Sequence, residues 1–187
     1  MESKFPSAVS LGYAAIFISL WLFFMTVAGR FSMDTAKVTV PVLMILGGVV
    51  LAIAGAFSFF NENKVDSIIF FVIAALNYSY SIRFKMMQDI NTSSTYSSAD
   101  GWIMVLIAVV IFYLWIASLK SNVIKHLFLL GLWIALLAGA IANWFSIAVL
   151  LYLSGYLGLI TSVLAGWYSG STIFSIVYPE IWSKKKN

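Results

Sequence analysis

The chain has 187 residues, 62% of them hydrophobic and 10% charged, with a formal net charge of +4. Soluble domains carry about 25% charged residues, so a soluble fold this apolar would lack the polar residues to cover its surface. Disulfides and thiolate metal sites are excluded, because the chain has no cysteine. The class that remains is an all-α membrane protein, read as one domain over residues 1–187 with a short basic tail from about residue 179.

A helix needs about 20 apolar residues to cross the hydrocarbon core. Six stretches approach that length: 9–29, 38–60, 67–82, 101–119, 123–142 and 144–171. The first is longer than the apolar part of a secretory signal and reads as a retained helix. The third is short and ends in polar residues. The last two are nearly fused, since no charged residue falls between Lys125 and Glu180. One helix through that whole run would be about 80 Å long, so a tight turn near Asn143 and Trp144 is predicted to split it. The one long connection, 83–100, holds Asn91-Thr92-Ser93-Ser94-Thr95, which includes a glycosylation sequon. Six spans put both ends of the chain on one side. That side collects Lys4, Lys64, Lys120, Lys125 and Lys184 to Lys186, against Arg30, Lys37, Arg83 and Lys85 opposite. By the positive-inside rule both termini are cytoplasmic and the host is the cytoplasmic membrane. The basic residues are read as loop and tail contacts to anionic lipid headgroups, not to nucleic acid.

The predicted spans lack a catalytic triad, a metal-ligand cluster and a phosphate-binding glycine loop. This points away from an enzyme and implies no cofactor. His126, beside Lys125 at the predicted membrane edge, reads as an interfacial or packing residue. Acidic and basic side chains are missing from the middles of the spans, where a proton pump needs them. Neutral polar residues stand there instead, Ser19, Ser58, Asn77, Asn143, Thr161 and Ser162 among them. Small residues form the second signal. Gly47-Gly48 and Ala54-Gly55 lie eight positions apart, about two helical turns, and so are expected to share a face; Gly155 and Gly158 repeat the pattern in the last helix. Such faces let helix backbones approach closely. They also leave room for a permeation path.

The second half adds a more specific pattern. Ser118-Leu119-Lys120 opens a short loop. Ala135-Leu136-Leu137-Ala138 then leads to Asn143, Gly155-Tyr156-Leu157-Gly158-Leu159-Ile160 follows, and Ala165-Gly166-Trp167-Tyr168 comes last. In order and spacing this resembles the acetate uptake transporter family, which includes the bacterial succinate–acetate permeases and the yeast ammonia/acetate export proteins. The resemblance implies six helices and one pore per subunit, a homo-oligomeric ring commonly of six, and passage of acetate or a similar mono- or dicarboxylate. The small-residue faces of the second and sixth helices, taken with it, predict that Gly48 and Gly55 support the ring. It also places a pore constriction at Ile16, Ile73 and Leu132, with Ala165 beside them.

Departures from the family pattern are clear. Its Asn-Pro-Ala-Pro-Leu-Gly opening is here Ser7-Ala8-Val9-Ser10-Leu11-Gly12. A Gln and a Glu of the second helix become Leu51 and Ser58. Pore-narrowing aromatics become Ile16 and Ile73, while the aliphatic Leu132 is kept. Ser7, Ser10, Leu11 and Gly12, near a helix start that favours anions, are the substrate-binding candidates together with Asn77 and Asn143. Two other readings stand beside carboxylate transport: a channel for a neutral solute such as urea or an amide, and a membrane scaffold without transport.

Overall fold

The computed structural model describes residues 8–90 and 98–178. Ser7, the sequon at Asn91 and the basic tail lie outside these residues. Six helices are long and apolar enough to span a membrane: α1 (Ala8–Val27), α2 (Asp34–Phe60), α3 (Lys64–Ile90), α4 (Ser98–Ala117), α5 (Val123–Phe145) and α6 (Ala148–Val177). A 3₁₀ turn at Ser118–Lys120 links α4 to α5. The protein is a multi-pass all-helical membrane protein.

Local chemistry sets the helix ends. Ser32 accepts a hydrogen bond from the Thr35 amide, and Asn122 one from the Ile124 amide; both satisfy N–H groups that an α-helix leaves unpaired at its start. Gly29 takes a positive φ of 64° just past α1. Two boundaries differ from the sequence expectation. The turn between α5 and α6 falls at Ser146, in the left-handed region, not at Asn143 and Trp144. Asn143 stays helical because its side-chain amide donates back to the Gly139 carbonyl at 2.8 Å. The third helix is not short: it continues through the segment read as loop to Ile90, and its Arg83 forms an ion pair with Asp100 in the first turn of α4.

The middle of α2 is also unforeseen. Leu43–Val50 is π-helical, two residues beyond Pro41. Proline withholds an N–H from the helix ladder, and Gly47 and Gly48 resist an altered backbone little. The simple two-turn spacing of the small pairs therefore does not hold, yet both pairs still face α3. A Cβ on Gly47 would meet the Asn77 side chain, one on Gly48 would meet Tyr78, and one on Gly55 would meet Phe71. Ala54 is fully buried.

Each helix packs on the next, and α6 returns to pack along α1. The result is a closed circle, α1 to α6, around one apolar core drawn from all six helices. The α3–α4 junction is its least extensive link, and a cleft of about 20 Å³ lies there between Tyr80, Arg83, Asp100 and Met104. Outward-facing residues such as Val38, Phe60, Leu106, Ile160 and Trp167 are more than half exposed, as suits contact with lipid.

Closure depends on glycine. A Cβ on Gly155 would come within 2.6 Å of the Ala28 backbone, and one on Gly158 within 2.2 Å of the Phe24 ring. These glycines, like Gly48 and Gly55, are used inside the subunit. Gly155→Ala is expected to cost about 1–3 kcal/mol by overpacking, since backbone cannot move aside cheaply. A methyl group on Gly170 would meet nothing within 4 Å, so Gly170→Ala should be neutral or stabilising by up to about 1 kcal/mol. Thermal melting of the two variants in one detergent checks the contrast.

Candidate functional site

The four residues expected at a constriction come from four different helices: Ile16 on α1, Ile73 on α3, Leu132 on α5 and Ala165 on α6. All four have zero exposure and belong to the same buried cluster. None faces lipid. In a bundle whose helices cross alternately, α1, α3 and α5 run in parallel, and Ile16, Ile73 and Leu132, the ninth or tenth residues of these helices, lie at similar depth.

One turn beyond that level sits a polar node. Asn77 is four residues after Ile73, and Ser19 three after Ile16. The Asn77 amide nitrogen donates to Ser19 Oγ at 3.1 Å and, more weakly, to the Gly47 carbonyl at 3.5 Å. Ser19 in turn donates to the Ile16 carbonyl at 3.3 Å. The π-helical segment of α2 brings the Gly47 carbonyl into reach, and π segments recur at functional sites for this reason. Asn77 Oδ1 is fully buried and accepts no hydrogen bond among the described residues. Leaving a buried acceptor unpaired costs about 1–3 kcal/mol.

One turn in the other direction, toward the end where α1, α3 and α5 begin, lies a cluster that the sequence reading missed. Tyr13, Phe70 and Phe128 precede Ile16, Ile73 and Leu132 by three, three and four residues. The Tyr13 ring is edge-on to Phe70 at 5.2 Å, to Phe128 at 6.0 Å and to Tyr168 at 4.5 Å. Aromatic rings absent from the Ile16–Ile73 level are therefore present one turn away. The Tyr13 hydroxyl donates to Asp66 Oδ1 at 2.8 Å, and Lys125 Nζ donates to the same oxygen at 2.6 Å. The two charged side chains, Lys125 and Asp66, are only 8% and 12% exposed. Lys125 is thus not a loop residue contacting headgroups; it is the third residue of α5 and points inward. The signal available in the sequence was one acidic and one basic residue, each in the first turn of an odd-numbered helix.

The remaining candidates scatter. Ser10 is buried and its carbonyl accepts from Ser169 Oγ at 2.8 Å. Gly12 lies flat against the Phe70 ring, whereas Leu11 between them is 51% exposed and faces outward. Asn143 is buried near the opposite end, close to the Met104 sulfur. Ser10 and Gly12, Asn77, and Asn143 therefore occupy three depths and form no single binding pocket. His126 accepts from the Trp115 indole N–H at 3.2 Å.

The fold agrees with a solved structure described as the bacterial acetate channel SatP, with a TM-score of 0.81, over 92% of this chain and 94% of that one, at 16% sequence identity. No curated protein sequence matches significantly. A sequence model of the GPR1/FUN34/yaaH family, however, matches residues 1–177. With that match covering nearly its whole length, the chain belongs to the GPR1/FUN34/yaaH family.

Proposed function

We propose that this protein provides a path for acetate or a similar small carboxylic acid across the cytoplasmic membrane, with one path along the axis of each subunit. The observation that supports the reading is the closed circle of helices with Ile16, Ile73, Leu132 and Ala165, one from each of four helices, all fully buried in its core. Family membership and the likeness to an acetate channel support the substrate class. With zero exposure at these four positions, passage requires them to move apart.

The Asn77 carbonyl bears on the form in which the acid crosses. A free acceptor suits the O–H of a protonated acid, whereas a carboxylate would have to take the amide N–H instead. The same atom favours a second reading, in which a neutral amide such as urea is the solute. Both termini face the cytoplasm in this proposal, and subunits assemble as a ring of six by family resemblance.

Trimming Leu132 to Ala is expected to widen the narrow level and raise the lactate-to-acetate uptake ratio severalfold in proteoliposomes. Leu106→Ala, at an outward position 64% exposed, should leave the ratio unchanged. An unchanged ratio in folded Leu132→Ala protein removes Leu132 from the selectivity level. Asn77→Leu keeps volume and deletes the unpaired acceptor. Acetate uptake should fall on the order of tenfold while stability changes by about 1 kcal/mol or less; uptake at the wild-type rate rejects the role of Asn77. A cysteine at Ser94 should react with an impermeant reagent on intact cells, and labelling only after lysis would reverse the orientation. Detergent sizing should give about six times the 20.7 kDa chain mass; a monomer across mild detergents rejects the ring.

A further inference from the structure

The Asp66–Lys125 pair has no explanation in the transport reading so far. As a structural device it is poor. Two charges removed from water, with Lys125 8% and Asp66 12% exposed, repay their desolvation only with excellent geometry and further hydrogen bonds. Lys125 stands in the first turn of α5, where the helix dipole disfavours a cation. Its ammonium has three N–H groups and makes a single hydrogen bond among the described residues, to Asp66 Oδ1. Asp66 Oδ1, by contrast, takes two donors, Lys125 and the Tyr13 hydroxyl.

Tyr13 joins this polar group to the aromatic layer, since its ring packs on Phe70, Phe128 and Tyr168 while its hydroxyl reaches Asp66. That layer is one helical turn from the Ile16, Ile73 and Leu132 level, on the side where α1, α3 and α5 begin. A solute approaching the narrow level from that side meets the ammonium and the Tyr13 ring first. The chemistry that an under-coordinated ammonium beside a phenol recognises is a carboxylate, with charge-assisted hydrogen bonds of N–H to oxygen.

We infer that Lys125 is a carboxylate-capturing residue at this mouth of the path, and that Asp66 is a tethered competitor which occupies Lys125 and anchors Tyr13 until a substrate carboxylate exchanges for it. The inference rests on the transport reading and adds to it a binding residue, an internal counter-ion and a latch. Exchange of one carboxylate for another at Lys125 conserves charge around the ammonium. Release of Asp66 also frees Tyr13, whose ring closes the aromatic layer above the narrow level.

Removing the competitor and removing the cation must then act in opposite directions. Asp66→Asn should lower the acetate concentration for half-maximal uptake on the order of tenfold, because the substrate no longer displaces a charge-assisted bond. Lys125→Gln should raise it by a similar factor, and Lys125→Arg should restore it toward wild type. The double variant Asp66→Asn/Lys125→Gln, which buries no charge, serves where Lys125→Gln alone does not fold and should share its weak binding. A purely structural pair gives instead two destabilised variants with unaltered half-saturation. If wild-type vesicles take up acetate and the folded variants stay within about twofold of them, the latch is overturned and the transport reading stands. If no form moves acetate, the transport reading fails. Broadening of the ¹³C-acetate signal on titration into detergent-solubilised protein then decides: tighter binding by Asp66→Asn than by the double variant upholds the capture site, and equal binding overturns it.

Discussion

The fold depends on α6 returning to α1. Lipid tails are as apolar as the helices, so no hydrophobic force drives one span against another, and close packing has to do it. Gly155 lets α6 approach the Ala28 backbone, Gly158 accepts the Phe24 ring, and Gly166 lies against Phe17. Ser169 then reaches the Ser10 carbonyl near the other end of the same contact. Without this seam the six helices would form an open layer. With it they enclose an axis, and Ile16 and Ala165 come to share a buried interior with Ile73 and Leu132.

An enclosed axis in a membrane raises the cost of every polar group along it, because no water is at hand to replace a missing partner. Many polar side chains here answer that cost with a bond to the backbone. Ser81, Ser154, Thr161 and Ser162 each donate to a backbone carbonyl within 2.8 Å. Ser58 Oγ and Trp144 Nε1 also lack a partner among the described residues, and Asn77 and the Asp66–Lys125 pair depart from this pattern as well. One leaves an acceptor unpaired, and the other holds two charges where two apolar residues would pack at less cost. Asn77 lies one turn from the proposed narrow level, and the Asp66–Lys125 pair about two turns from it on the opposite side. Polar groups retained at such a position are where a polar solute would exchange its hydration for protein contacts.

Bulky rings and aliphatic side chains occupy successive layers of the bundle interior. Ile16, Ile73 and Leu132 form an aliphatic layer, and Tyr13, Phe70 and Phe128 supply rings one turn nearer the helix starts. Close packing fills both layers, and the bulky one lies on the side of the charged pair.

Composition and hydropathy settled the membrane class and the six spans, since burying backbone in lipid leaves helices as the simplest solution and needs about 20 apolar residues for each. The motif order in the second half pointed to the family, and the resemblance singled out Ile16, Ile73, Leu132 and Ala165, which the packing buries in one cluster. Three things were beyond the sequence. The π segment at Leu43–Val50 follows Pro41, contains two glycines and faces the Asn77 amide on another helix. The turn at Ser146 depends on a side-chain bond that holds Asn143 in the helix. Lys125 looked like one of several basic residues at a membrane edge, because sequence spacing tells which residues share a helix face but not what stands opposite. Its partner is 59 positions away on another helix, and only the circular packing of α1, α3 and α5 brings that carboxylate within reach.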